Sequence, residues 1–366
     1  MNLKKGDDSW TALLGRQDFP TDGVRDYVRF LTEALAAQGH GLQVVRVAWA
    51  TNGWLRELYR LWQTLREQPG RWVLVQYTAL AWSRRGFAGL FVVVLSLLRI
   101  RGMRVAIVFH DSAAYQGRRL VDKLRGLCQL WVMRWAYRLA AKSILPMPLA
   151  SVSWLPQDHP KAAFIPVGSN IPAIQSERSA GNGHEPKTIA VFGVTGDGRV
   201  GDEVSDIAFV ARALGERLSG IRLTTVGRGS VESEFRLRRV LEGSAVEYCA
   251  LGILSAEAVS EVLARAQVSL FVRGPLSTQR GSAIASIACG LPLVAYSNPQ
   301  LPVEFSEAGV VAVSVGDRQA LAETTIRVLT DSELWLELHW RNRIAFANYF
   351  SWEAIAAQFA RVLADA

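Results

Sequence analysis

The chain has 366 residues, long for one hydrophobic core, so two domains are expected. Half of the residues are hydrophobic and 20% are charged, which excludes a disordered composition. The net charge of +8 is uneven: residues 1–165 carry 23 Lys+Arg against 11 Asp+Glu, the remainder 18 against 22. A basic first half points to an anionic partner such as lipid headgroups, lipid phosphates or nucleic acid.

Short apolar runs alternate with longer amphipathic stretches, the βαβ pattern. In the first half, strands are predicted at 10–14, 42–49, 71–77, 105–109, 143–145 and 163–167. Helices are predicted at 24–38, 54–67 and 120–141. Residues 1–8 are polar and 10–14 are too short for an apolar signal core, so no signal peptide is expected. Residues 86–98 (GFAGLFVVVLSLL) form an uncharged stretch bracketed by Arg84, Arg85, Arg99 and Arg101. A spanning helix needs about 20 apolar residues. Two readings stay open: a helix buried between strands, or an interfacial helix whose arginines meet anionic headgroups. Trp131 and Trp135, at i and i+4, read as core.

Residues 174–187 are polar and aperiodic, a linker. The alternation then restarts, with strands at 188–192, 221–226, 246–249, 268–272, 293–296 and 311–315. Helices are expected at 204–218, 231–241, 257–266, 282–289 and 318–329, ahead of terminal helices. The fold class is therefore α/β: two doubly wound, Rossmann-like parallel sheets, at 1–173 and 188–345, with 346–366 returning to the first. Ligands of such sheets sit at the carboxyl ends of strands.

Three stretches carry candidate chemistry. Arg280-Gly281-Ser282 opens a helix of small and apolar residues. A helix start offers backbone N–H groups and a positive dipole end, Gly281 permits close approach, Ser282 can cap or bond phosphate, and Arg280 can clamp it. A capped helix with a chance arginine competes with that reading. Gly15 and Arg16, with Asp18 and Asp22, form a loop after the first strand where a ligand can approach; an ordinary turn is the alternative. His110-Asp111 ends a buried strand, where a histidine can bond a sugar hydroxyl or act in acid–base work, or simply bond a carbonyl. The three cysteines, Cys128, Cys249 and Cys289, are widely spaced, which excludes a disulfide framework and a cysteine zinc site and suits a reducing compartment. The remaining histidines lack metal-ligand spacing, and 193–201 (GVTGDGRVG) lacks the Lys-Ser/Thr of a phosphate loop.

Taken together, GRQDFPTDGVRDYVRFLTEAL at 15–35, FHD at 109–111, IPVGSNIP at 165–172, STQRGSAIASIACGLPLVAY at 277–296 and FSWEAIAAQF at 350–359 resemble the family 4 glycosyltransferases of the GT-B fold. The resemblance spans essentially the whole chain. It implies a nucleotide-sugar donor on the second domain, with UDP or GDP the expected carriers, and an acceptor on the first. It also implies retention of anomeric configuration and no obligatory metal or other cofactor. By the resemblance Gly15 and Arg16 approach the diphosphate and the acceptor, His110 with Asp111 lies near the transferred sugar, and Gly227 and Arg228 flank the base. Arg199 is the one candidate for the family's cations after the first strand of the second domain, Arg273 joins the donor set, and Arg280, Gly281 and Ser282 offer a substitute anion site. Two glutamates usual in the family fall at Ser277 and Ala285, neither acidic. The expected activity is sugar transfer to a lipid-linked saccharide or polysaccharide at the inner, cytoplasmic membrane face, with an anionic membrane surface as partner and no nucleic acid. A soluble small-molecule acceptor, or a scaffold subunit without turnover, are the alternatives.

Overall fold

The computed structural model describes residues 9–17, 22–64, 71–174, 187–194, 202–297 and 301–365. Most of the predicted linker, Asp18 and Arg199 lie outside this set. The chain divides into two compact units, residues 1–166 with 352–366, and residues 167–351.

The first unit is a six-stranded parallel sheet: β1 (Ser9–Leu14), β2 (Gly41–Arg46), β3 (Trp72–Tyr77), β4 (Arg104–Phe109), β5 (Lys142–Leu145) and β6 (Ala162–Phe164). The strand order is β2-β1-β3-β4-β5-β6. Strands covered on both faces read as unbroken apolar runs, and β3 is buried at every position. The helices are α1 (Gly23–Ala37), α2 (Trp49–Asn52), α3 (Trp54–Thr64), α4 (Gly89–Ile100) and α5 (Leu120–Leu139). Asp22 starts α1 by accepting from the Arg25 amide at 3.0 Å, and Tyr27, Val28, Leu31, Ala34 and Leu35 form its buried stripe. The last helix, α13 (Trp352–Ala364), packs on α1. Trp352 meets Tyr27 and Phe30 at ring separations of 5.0 and 5.5 Å, and the Gln38 side chain donates to the Glu353 carbonyl.

The predicted strand 42–49 ends at Arg46, and the predicted helix from Trp54 is preceded by the short α2. Gly53 separates α2 from α3 with φ +80, a conformation that breaks a helix at little cost only for glycine. Trp49 turns out of strand register because its indole N–H donates to the Ala81 carbonyl at 2.8 Å. The buried Glu57 carboxylate accepts from the Ala48 amide, Asn52 and Arg60 and ties the two helices together.

Two readings of the apolar helices change. In α4, Phe91, Val94, Leu95 and Leu98 are buried, but Leu90, Val93 and Ile100 are exposed, so it is only half a core helix. In α5 the core side is made by Gly126, Gln129, Val132, Met133, Ala136 and Tyr137, which leaves Trp131 and Trp135 exposed rather than in the core. Arg84 donates to the Ala50 carbonyl, and Arg101 donates to the Trp62 carbonyl while stacking 3.3 Å over its ring. Both side chains therefore reach back onto the protein. No helix among the described residues is long and apolar enough to cross a membrane.

The second unit has β7 (Lys187–Phe192), β8 (Ile221–Val226), β9 (Val246–Ala250), β10 (Val268–Phe271), β11 (Leu293–Ser297) and β12 (Val310–Ser314), all parallel, in the order β12-β11-β10-β7-β8-β9. Its helices are α6 (Glu203–Arg217), α7 (Ser230–Leu241), α8 (Ala256–Arg265), α9 (Gly281–Ala288), α10 (Val303–Ser306), α11 (Arg318–Thr330) and α12 (Ser332–Ala345). A π-helical turn, Phe346–Phe350, follows. α9 is buried from Ala283 to Ala288, as expected of a helix apolar all round. These two strand orders are the two common doubly wound arrangements. Their switch points lie between β1 and β3 and between β7 and β10, where ligands of such sheets bind.

Candidate functional site

At the β7–β10 switch point three backbone segments meet. The Gly193 amide donates to the Val226 carbonyl at 2.7 Å, Val194 N–H to the Arg228 carbonyl at 3.0 Å, and Gly227 N–H to the Gly252 carbonyl at 2.6 Å. Only glycines fit here. A Cβ on Gly227, at φ +88, would lie 2.8 Å from the Phe192 ring, and one on Gly229, at φ +79, would lie 1.6 Å from the Val194 carbonyl oxygen. The Arg228 side chain is exposed beside them.

Arg273 follows β10, and one of its guanidinium nitrogens lies 2.9 Å from where a Gly193 Cβ would stand. A side chain at 193 would displace the guanidinium from the switch point. Arg280 is half-buried in the position before α9, without a side-chain cap bond. Burial and the neighbouring Arg273 charge hold its guanidinium below the usual arginine range, and the Glu203 carboxylate opposes the shift. Two guanidiniums close enough to penalise each other are relieved by an anion. A charge-assisted bond is worth about 1.5–3 kcal/mol and a helix end about 0.3–1 kcal/mol, so the arginines outweigh the dipole.

Ser282 is the second residue of α9, not its cap, which is Arg280; the helix begins one residue earlier than predicted. Gly281 is exposed with nothing within 4 Å of a built Cβ. Gly281→Ala is therefore expected to leave the melting temperature within about 1 °C, since alanine is accepted in a helix. If the anion approaches that backbone, nucleotide binding by calorimetry weakens by about tenfold; equal binding would remove Gly281 from the site. Ser277, half-buried, and Ala285, fully buried, carry no carboxylate.

In the first unit, Gly15 follows β1 with its Cα face against the chain: a Cβ would lie 2.3 Å from the Ala81 carbonyl oxygen. The Arg16 amide donates to that same carbonyl at 2.8 Å, and Arg46 donates to the Gly15 carbonyl at 3.0 Å. The close approach read at Gly15 is thus filled on that side by backbone. Beside this loop lies an open cavity of ≈ 560 Å³ whose lining includes Leu14, Val28 and Val44 together with Arg25, Arg29 and Arg46. Sequence reasoning missed these arginines, because α1 and β2 are adjacent only once the sheet is built.

His110 follows β4. Its Nε2 lies 2.8 Å from the Gln76 side-chain oxygen, which fixes that nitrogen as the donor, and the Tyr27 ring packs edge-on at 4.9 Å. Burial pushes its pKa down to about 4, with Asp22 opposing, so the ring is neutral at pH 7. The unfolded chain, titrating near the ordinary 6.5, binds the proton first. Stability is therefore full above about pH 6.5 and falls as pH drops toward 4, by roughly 1.4 kcal/mol per pH unit. Denaturant titrations at pH 7, 5.5 and 4.5 should show this slope and a shallower one for His110→Gln. Asp111 accepts from the Ala79 amide at 2.9 Å, a loop-anchoring bond; desolvation raises its carboxyl above the ordinary range and that amide opposes. Among the described residues no three His, Cys, Asp or Glu side chains converge as a metal site.

Residues 191–331, the sheet edge with both arginines included, match the family model described as glycosyl transferases group 1. The chain is a glycosyltransferase, and its two sheets are those of the GT-B fold. Among solved structures it is similar to the sucrose-phosphate synthase of Thermosynechococcus elongatus, with TM-score 0.64, 19% identity and coverage of 98% and 99% of the two chains. The Anabaena protein HepE in complex with UDP gives TM-score 0.65 at 12% identity, over 98% and 100%. A glycosyltransferase of Rickettsia africae gives 0.63 at 13%, over 98% and 99%. No curated protein matches the sequence. HepE has been solved in complex with UDP and with UDP-glucose.

Proposed function

We propose that this glycosyltransferase moves a sugar from a nucleoside diphosphate carrier, UDP or GDP, to a lipid-linked saccharide or growing polysaccharide at the inner membrane face, with retention at the anomeric carbon. The observation that carries the donor half is the convergence of Arg273 and Arg280 at the β7–β10 switch point, over the side-chain-free Gly193. In this reading the two guanidiniums and the open start of α9 hold the diphosphate and stabilise the charge that develops on it as the sugar leaves. Gly227 and Arg228 border the carrier, and Arg199, outside the described residues, is a further cation for it. His110, neutral and held by Gln76, positions the sugar, with Arg16 and Asp111 beside it. No metal is assigned to the reaction. The cavity lined by Arg25, Arg29, Glu33 and Arg46 takes the acceptor, with Arg29 paired to Glu33 and Arg46 to Asp22, so that polar groups of both signs face it.

The supporting test is transfer of radiolabel from UDP- and GDP-sugars into a bacterial lipid extract, read by partition into organic solvent. Label in the lipid phase from one donor, absent with Arg273→Ala, supports the reading. Label found only in water-soluble saccharides would replace the lipid-linked acceptor with a soluble one.

A further inference from the structure

The exposed side of α5 calls for an occupant. Leu120, Leu124, Leu127, Trp131 and Trp135 fall within an arc of roughly 80° at 3.6 residues per turn, a stripe about 22 Å long. All five are open to solvent, Leu124 at 61%, Leu127 at 63% and Trp131 at 49%. A contiguous apolar face of this kind marks an interaction surface.

The charge along it selects the partner. Residues 118–139 hold six arginines and lysines and a single acid, Asp122. That acid is already paired with Arg125 at 3.3 Å. Lys123 and Arg134 border the stripe, and Arg138 lies on it with its guanidinium 5.3 Å from the Trp135 ring centroid. A second copy of the chain would set these cations against one another. A protein of mixed charge would leave part of the row unmatched. Anionic headgroups match it throughout, with the leucines below them, the tryptophans at headgroup depth and the long cationic stems reaching upward.

We infer that α5 is the docking face of the first unit on an anionic lipid bilayer, lying in the plane of the interface. This deepens the membrane-face part of the proposed function and rests on it. It moves the contact from the arginines flanking α4, two of which bind the protein itself, to an element whose exposed side is both apolar and cationic.

The test uses the full chain and sedimentation with vesicles of phosphatidylcholine alone or with one quarter phosphatidylglycerol. The wild type is expected to bind the anionic vesicles at least tenfold more tightly. L124E/L127E, at exposed positions, should lose at least tenfold of that binding while keeping its melting temperature. K123E/R134E should lose binding and most of its salt dependence. Unchanged vesicle binding in both variants would overturn the docking face. So would a wild-type dimer that L124E/L127E dissociates without any lipid binding. Nucleotide binding measured on the same samples reports separately on the transferase reading: lipid docking that fails while nucleotide binding stands overturns the docking face alone.

Discussion

Arg280→Ala is expected to weaken UDP or GDP binding by roughly 100-fold, about 2.7 kcal/mol, without destabilising the fold. Arg280 is half-buried, its guanidinium is disfavoured by burial and by Arg273, and no side-chain cap bond ties it to α9. Removing it takes away a repulsion, so the ligand-free melting temperature should stay level or rise. The same removal leaves a diphosphate with half of its bidentate partners. Arg280→Lys keeps the charge but not the planar fork, and should recover only part of the loss. Calorimetry and thermal melts on the three proteins check both halves. A variant that binds nucleotide as the wild type does would assign the diphosphate elsewhere; one that melts well below it would give Arg280 a structural task instead.

Gly229→Ala should do the reverse, lowering stability by about 3 kcal/mol or more through backbone geometry. The residue sits at φ +79, and an added Cβ would lie 1.6 Å from the Val194 carbonyl oxygen, backbone that cannot rotate away. Relief requires parting the loop after β7 from the loop after β8, with loss of the Val194 to Arg228 hydrogen bond. For a unit of this size the melting temperature should fall by roughly 6–12 °C. Differential scanning calorimetry reads it directly, and a shift below 2 °C would show that the two loops are not jammed in solution. Set beside Gly281→Ala on the same sheet edge, the pair separates glycines held by the fold from one that faces open space.

The α/β alternation was legible because buried parallel strands such as β3 and β4 leave unbroken apolar runs, and Gly290 stops α9 with φ +64. His110 was legible for the same reason, since it ends such a run. Partnerships set by strand order were not. Arg273 reaches Gly193 only because β10 lies next to β7, an adjacency across many intervening residues. The side of α5 that is buried was also hidden. Leu120, Leu124, Leu127 and Trp131 repeat as a core stripe would, while the true core side is assembled from Gly126, Gln129 and Ala136 among larger residues. Periodicity reports that a helix has two faces; which one the protein covers depends on its neighbours.

Because α13 packs on α1, the first unit is completed by a segment that follows the whole of the second. Domains generally fold as units while the chain is being made, the N-terminal one first. Here that order is inverted. The second unit has all of its sequence while the ribosome still holds the segment that brings Trp352 to Tyr27 and Phe30. Until that segment is released, the α1 surface that receives it is bare, so a nascent chain halted just before residue 352 should carry a finished second unit beside an unfinished first, open to chaperones and proteases.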